Sequence, residues 1–410
     1  MKFISGNPFI KKTKGTIYID SIPLENILEK FKTPFMILLE NRIIENLTTF
    51  KNVFNSIFSN KKFEGFYSFK ANFLLEICKI VNSNDIGAEI IGLPELKLAL
   101  TVGFPPNKII IGGPYLSKDL IEASIKVKVK EIIVYNLKDL KKINFIAKKF
   151  DVIQNVCLRV NSQKYDSKLG IILDTNNLKK LKRDIKENRN IKIVTILSHY
   201  ASQMNSFDQY RKNISAVAEN LKRLSEIGVQ CENINLGGGF PEATIMKKER
   251  LENIARQIKN SLEEFGIDYK SIYFEPGRYF VGDAGLFIAK IIKVIKNRWV
   301  FLNIGNHICP KFARCSLRFY NVSHIYDPHK FKTSFAGILP TDQDVLAKNY
   351  FFTEKLEEGN IILVSNVGAY TLTFSNRFPY PLPKIILVSN EKIKEIFDPS
   401  IHQDFSISHF

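Results

Sequence analysis

Nine short apolar runs, mostly separated by amphipathic stretches, constrain what this chain can fold into. They are "FMILLE" (35–40), "GFYSFK" (65–70), "GAEII" (87–91), "KIIIGG" (108–113), "EIIVYN" (131–136), "NVCLRVN" (155–161), "KIVTILSHY" (192–200), "NINLGGG" (233–239) and "SIYFEPG" (271–277). Between them lie segments with helical spacing, such as "LPELKLALTVG", "KDLKKINFIAKKF" and "SFDQYRKNISAVAENLKRLSEIG". Runs that are apolar on both faces suit a parallel sheet, whose helical crossovers cover both sides. Repeated units of this kind over roughly 250 residues predict a (β/α)8 barrel. After residue 285 the runs "AGLFIAKIIKVIKNRWVFLNI", "NIILVSN", "AYTLTF" and "KIILVS" lack intervening helices. They predict a β-rich C-terminal domain. The expected division is an N-terminal segment 1–34 joining the β domain, a barrel over 35–285 and the β-rich domain over 286–410.

In such a barrel, reactive groups sit where strands end, on the C-terminal face. Those ends carry Lys70, Glu89, Arg159, His199, the triplet Gly237, Gly238 and Gly239, and Glu275 with Arg278. Lys70 closes an apolar run with aromatics on both sides. A lysine desolvated there is driven toward its neutral, nucleophilic form. The alternative is a strand-end lysine whose head reaches water. In "LGGGFP" the glycines let backbone N–H groups approach an anion, as at phosphate sites. Neither GxGxxG nor GxxxxGK[ST] is present, so the loop is not a dinucleotide or ATP signature. A phosphate anchor with a Schiff-base lysine points to pyridoxal 5'-phosphate. Glu275 in "EPGR" is suited to hold a pyridine nitrogen protonated. His199 either lies against the ring or is a satisfied core histidine.

The net charge of +18 narrows the partners. The basic residues are spread along the chain with no dense arginine block and no nucleic-acid motif, which argues against nucleic acid and for an anionic small substrate. Five scattered cysteines with no CxxC pair predict neither disulfides nor a metal site. The start, "MKFISGNPFIKKTKGTIYID", has no long apolar run, so no signal peptide and no membrane span are expected. A reducing cytoplasm is the expected location.

At this point the chain resembles the fold-type III pyridoxal-phosphate decarboxylases, which act on diaminopimelate, ornithine, arginine and related amino acids. The resemblance runs from "TPFMILLENRIIENL" to "VGAYTLTF", with the motifs in order. It implies an α/β fold, a (β/α)8 barrel of alanine-racemase type plus the β-rich domain. "YSFKAN" is similar to the motif around the cofactor-binding lysine, Lys70. "GAEIIGLPELKLALTVGFP" places Glu89 and Glu95 near the cofactor, and "LRVN" does the same for Arg159. "SHYASQ" resembles HxGSQ, implying that His199 stacks on the ring and Ser202 binds phosphate. "GGGFP" and "EPGRYFVGDAG" supply the glycine loop, Glu275, Gly277 and Arg278. "VGAY" puts Tyr370 on the phosphate across a homodimer interface with shared active sites.

Three departures accompany the resemblance. The family's GPxCxxxD looks like "GILPTDQD" here, so Thr341 and Asp344 fall in the substrate region while Pro340 replaces a cysteine that helps protonate the product. Glu89 stands where the family has aspartate, and Ala201 replaces the glycine of HxGSQ. The stretch "NHICPKFARCSLRFYNV" is closer to siderophore-pathway decarboxylases of citryl-amino acids. It offers Lys311, Arg314 and Arg318 to a carboxylate-rich substrate. The expected activity is therefore α-decarboxylation of an N-citryl diamino acid such as citryl-ornithine. The alternatives are a free diamino or basic amino acid (ornithine, lysine or diaminopimelate), an amino-acid racemase, or a non-catalytic regulator with the decarboxylase fold.

Overall fold

The computed structural model describes residues 2–3, 7–162, 167–310 and 315–401. Two compact units emerge. Among the described residues, one comprises Leu47–Pro241 and Met246–Gly277; the other comprises those up to Asn46, Glu242–Ile245 and those from Arg278 to residue 401.

The first unit is a closed parallel barrel. Its strands are β1 (Lys62–Ser68), β2 (Gly87–Ile90), β3 (Ile109–Gly112), β4 (Glu131–Val134), β5 (Gln154–Arg159), β6 (Ile191–Leu197), β7 (Asn233–Asn235) and β8 (Ser271–Phe274). Each pairs in parallel with its neighbours, and β8 closes on β1 with Ser271 opposite Lys62 and Phe274 opposite Gly65. A ring has no edge strand, so every ladder group can be paired. The interior is filled by side chains from six strands: Phe66, Ile110, Ile133, Cys157, Leu197 and Tyr273. Phe66 and Tyr273 meet edge to face across the closing seam, with centroids 5.3 Å apart. Outside the ring, Phe50 and Phe54 stack at 4.5 Å on one helix, and Phe54 reaches Phe274 at 4.5 Å. This aromatic layer fastens the helix to the barrel wall.

The expected barrel start at residue 35 is corrected. Phe35–Leu39 is a strand of the second unit, in a nine-stranded sheet between Gly285–Ile295 and Lys384–Ser389. All five of its residues are buried. A strand buried on both faces has the same continuous apolar run in either sheet, so its sequence cannot choose between them. The sheet continues through Trp299–Leu302, Phe331–Ala336 and Val345–Phe352 on one side and Lys392–Phe397 on the other, with Ile361–Ser365 and Arg318–Asn321 branching from it. "AYTLTF" is not a strand. Tyr370 has φ +60° and Leu372–Phe374 is a short 3-10 turn, which breaks any extended run. Residues 2–23 contribute a small four-stranded sheet. Among the described residues no helix is long and apolar enough to cross a membrane.

Two buried charged groups make the packing testable. In the second unit Asp283, fully buried, accepts from Arg42 Nη2 at 2.7 Å and Asn46 Nδ2 at 2.9 Å. Asp283→Ala would leave the buried Arg42 guanidinium with only the half-exposed Glu45 as counter-charge, and should destabilise by about 3 kcal/mol in urea unfolding. A loss below about 1 kcal/mol would show the pair is dispensable. In the barrel, Glu131 opens β4 and is 2% exposed, accepting from Thr195 Oγ1 at 2.9 Å. Burial pushes its carboxyl up to about 7. A folded pKa above the unfolded one means the folded state keeps a proton that the unfolded state has released. Stability is therefore lost as pH rises from about 4.5 to 7 and stays lower above it. Glu131→Gln should stabilise the cofactor-free protein at pH 8 by about 1–3 kcal/mol more than at pH 4. An equal effect at both pH values would contradict this.

Candidate active site

The carboxyl ends of the barrel strands gather most of the expected groups. Lys70 lies in a 3-10 turn, Phe69–Ala71, just past β1. Its Nζ sits 3.2 Å from Glu89 Oε2 on β2, and its side chain is 41% exposed while that of Glu89 is 3%. The lysine head thus faces both a buried carboxylate and solvent. Ser68, the last residue of β1, donates to the same Glu89 oxygen. Glu95, in the first turn of the helix Leu93–Val102, accepts from the Ile91 amide at 2.6 Å, and burial pushes its carboxyl up to about 7.

Glu275 follows β8. Its Oε1 accepts from Asn235 Nδ2 at 2.8 Å, and its carboxyl is pushed up to about 7. Burial is the main cause and the Glu89 charge adds to it; Lys70, Arg159 and the Asn235 hydrogen bond oppose it. Near neutral pH this group can hold or release a proton, as a partner for a heterocyclic nitrogen must.

Asn235 also accepts from the Gly237 amide at 2.8 Å, turning the chain into the glycine loop. The loop tolerates no other residue type. Gly237 and Gly239 have φ +66° and +88°, and a Cβ on Gly238 would stand 2.3 Å from the Glu275 carbonyl oxygen. His199, after β6, packs on this loop: a Cβ on Gly237 would be 2.7 Å from its Nδ1. Among the described residues, the Gly238 and Gly239 amides have no acceptor. Two uncommitted donors side by side are a nest for an anion. Ser202 lies exposed in the loop after His199.

The sequence reading missed Ser68, Asn235 and Tyr135. Tyr135 follows β4, and its hydroxyl accepts from Arg159 Nη1 at 2.5 Å, with the guanidinium carbon 4.6 Å from the ring centroid. Asn235 was legible in principle, since Asn two residues before a glycine marks an Asx turn. Tyr135 was not, because its partner is on another strand.

In the second unit, Arg278 is buried beside Gly277. It donates from Nη1 to Cys315 Sγ at 2.9 Å, and its guanidinium lies 4.8 Å from the Tyr370 ring centroid. Asp344 is 2% exposed, and both its oxygens are engaged, by the Asn306 amide at 2.7 Å and the Leu339 amide at 2.8 Å. It staples the 337–344 turn. Thr341 is exposed and accepts from the Gln343 amide. Arg318 opens the strand Arg318–Asn321 close to the Tyr320 hydroxyl. Lys311 and Arg314 lie outside the described residues. Among the described residues no group of His, Cys, Asp and Glu could hold a metal.

The model of the pyridoxal-dependent decarboxylase family, pyridoxal binding domain, matches residues 40–282, more than half of the chain. The chain belongs to this family. It is a pyridoxal-phosphate-dependent amino-acid decarboxylase with a (β/α)8 barrel and a β-rich domain. It is 23% identical to the diaminopimelate decarboxylase of Methanocaldococcus jannaschii over 97% of this chain and 96% of that one. It is 25% identical to the Staphylococcus aureus diaminopimelate decarboxylase over 93% and 94%. The crystal structure of the M. jannaschii enzyme superposes with a TM-score of 0.86 over 96% of this chain and 95% of that one, at 23% identity. The residues of the decarboxylase barrel fit the cofactor: an amine at Lys70 for an aldehyde, two open amides at Gly238 and Gly239 for a phosphate, and a titratable Glu275 for the ring nitrogen.

Glu275→Gln should leave the cofactor bound but lower kcat a few hundredfold, corresponding to roughly 3–4 kcal/mol of transition-state stabilisation. Undiminished turnover with bound cofactor would remove Glu275 from the chemistry.

Proposed function

We propose that this decarboxylase removes an α-carboxylate from a free diamino acid, with a diamino dicarboxylic acid of the diaminopimelate type as the leading substrate. The observation that carries this reading is the full-length match. Curated relatives that align over more than nine-tenths of both chains are diaminopimelate decarboxylases. The citrylated substrate expected from the basic 311–318 stretch has less support. Two of its three residues lie outside the described residues, and Arg318 lies close to the Tyr320 hydroxyl. The distal end of diaminopimelate carries both a carboxylate and an ammonium, so a basic chain does not argue against it.

The division of labour follows from the site. Glu89 lies within reach of Lys70 Nζ and accepts from Ser68, so it can take the proton that frees the lysine amine. The Gly238 and Gly239 amides hold the phosphate, with no side chain to exclude it. Asn235 fixes Glu275 from one side and the glycine loop from the other, tying ring anchor to phosphate anchor. Glu275 would hold a proton at the ring nitrogen of the bound cofactor. Bound pyridoxal phosphate supplies the electron sink for the pair left when carbon dioxide departs.

Carbon dioxide release should be compared for diaminopimelate, lysine, ornithine and N-citryl-ornithine. Diaminopimelate should exceed each of the others by at least about tenfold in kcat/KM, on the order of 1.4 kcal/mol. A higher kcat/KM for N-citryl-ornithine would instead restore the siderophore-type reading. A homodimer with sites shared between subunits is proposed as well, supported by the family-like "VGAY" around Tyr370. Mixing inactive Lys70→Ala and Tyr370→Ala chains should then recover part of the activity. Full activity in a strict monomer by light scattering would refute the shared site.

A further inference from the structure

We propose that Tyr135 is a positioning residue: its hydroxyl and ring fix the Arg159 guanidinium at the barrel mouth, where it faces Glu275. This rests on the reading of Lys70 and Glu275 as cofactor contacts.

Glu275 is faced by Glu89 from β2, Lys70 from the turn after β1, Tyr135 from the end of β4, Arg159 and the buried Cys157 thiol from β5 and Asn235 from β7, with His199 against the glycine loop. Of these, Lys70 and Arg159 are the two cations that oppose protonation of Glu275, while Glu89 favours it.

An arginine has a long side chain that must be held to act at a fixed place. Among the described residues no carboxylate lies within ion-pair distance of the Arg159 guanidinium. What holds it is Tyr135, through the 2.5 Å hydrogen bond and the 4.6 Å approach of the guanidinium to the ring. Tyr135 in turn is packed against the barrel-core cluster that includes Ile133 and Cys157. Its ring is therefore anchored in apolar packing while its hydroxyl stands among the charges. The Arg159 cation also lowers the phenol's own proton affinity, against the burial that raises it. Burial prevails and holds the phenol above its ordinary value, so Tyr135 stays neutral while its oxygen accepts from Arg159.

The test is a double-mutant cycle on the full chain. The Glu275 titration is followed in the cofactor-free protein by 13C NMR of labelled glutamate carboxyls, assigned by loss of the signal in Glu275→Gln. Tyr135→Phe keeps the ring and its packing but removes the hydroxyl. It should raise the Glu275 midpoint by about half a pH unit, and Arg159→Met should raise it further. In the Arg159→Met background, Tyr135→Phe should add nothing. In the pyridoxal-phosphate-loaded protein, the acid limb of kcat should move up by a similar amount with KM for the substrate unchanged. A wild-type Glu275 midpoint in Tyr135→Phe, or an equal shift with and without Arg159, would overturn the inference. If no carboxyl signal near pH 7 disappears in Glu275→Gln, or that variant turns over normally, the assignment of Glu275 fails instead.

Discussion

The closing of β8 onto β1 is the constraint on which the site depends. Eight parallel strands in a ring all end on one side, so residues far apart in sequence become neighbours without any long-range signal between them. Lys70 leaves β1 and Glu275 leaves β8, the two strands of the closing seam. Phe66 and Tyr273 fill the interior beneath them, and Phe54 with Phe274 braces the outside. The chemistry of the mouth is thus carried by a rigid apolar base.

That base allows charges to be held at values they would not keep in water. Glu89, Glu95 and Glu275 share the mouth with Lys70 and Arg159. Burial pushes Glu95 and Glu275 toward neutrality; Lys70 opposes this at both and Arg159 at Glu275. The result is a carboxyl at Glu275 poised near 7, where it can exchange a proton with a ring nitrogen. Asn235 gives the poise a structural link: one amide side chain serves both Glu275 and Gly237. Displacing either end therefore disturbs both Glu275 and the glycine loop.

Much of this was legible in the sequence. Short runs apolar on both faces, alternating with helical periods, announced the parallel barrel, and the strand ends announced Lys70, Glu89, Arg159, His199, the glycine loop and Glu275. What was hidden depends on register or direction. Phe35–Leu39 looks like a barrel strand because burial on both faces leaves the same pattern in any sheet. Tyr135 was hidden because its contact with Arg159 depends on the register of β4 against β5, which sets Val134 opposite Leu158. Asp344 looked available to a substrate, yet both its oxygens are taken by the Asn306 and Leu339 amides. Motif spacing places a carboxylate in a turn without saying which way it points.

The central claim is that Lys70 is the amine that holds pyridoxal phosphate. The purified protein, loaded with the cofactor and reduced with borohydride, should carry the pyridoxyl phosphate mass on the peptide containing Lys70. The Lys70→Ala chain should carry none, although its glycine loop and Glu275 are intact. Label on a different lysine in the wild-type protein, or equal labelling of Lys70→Ala, would contradict the account.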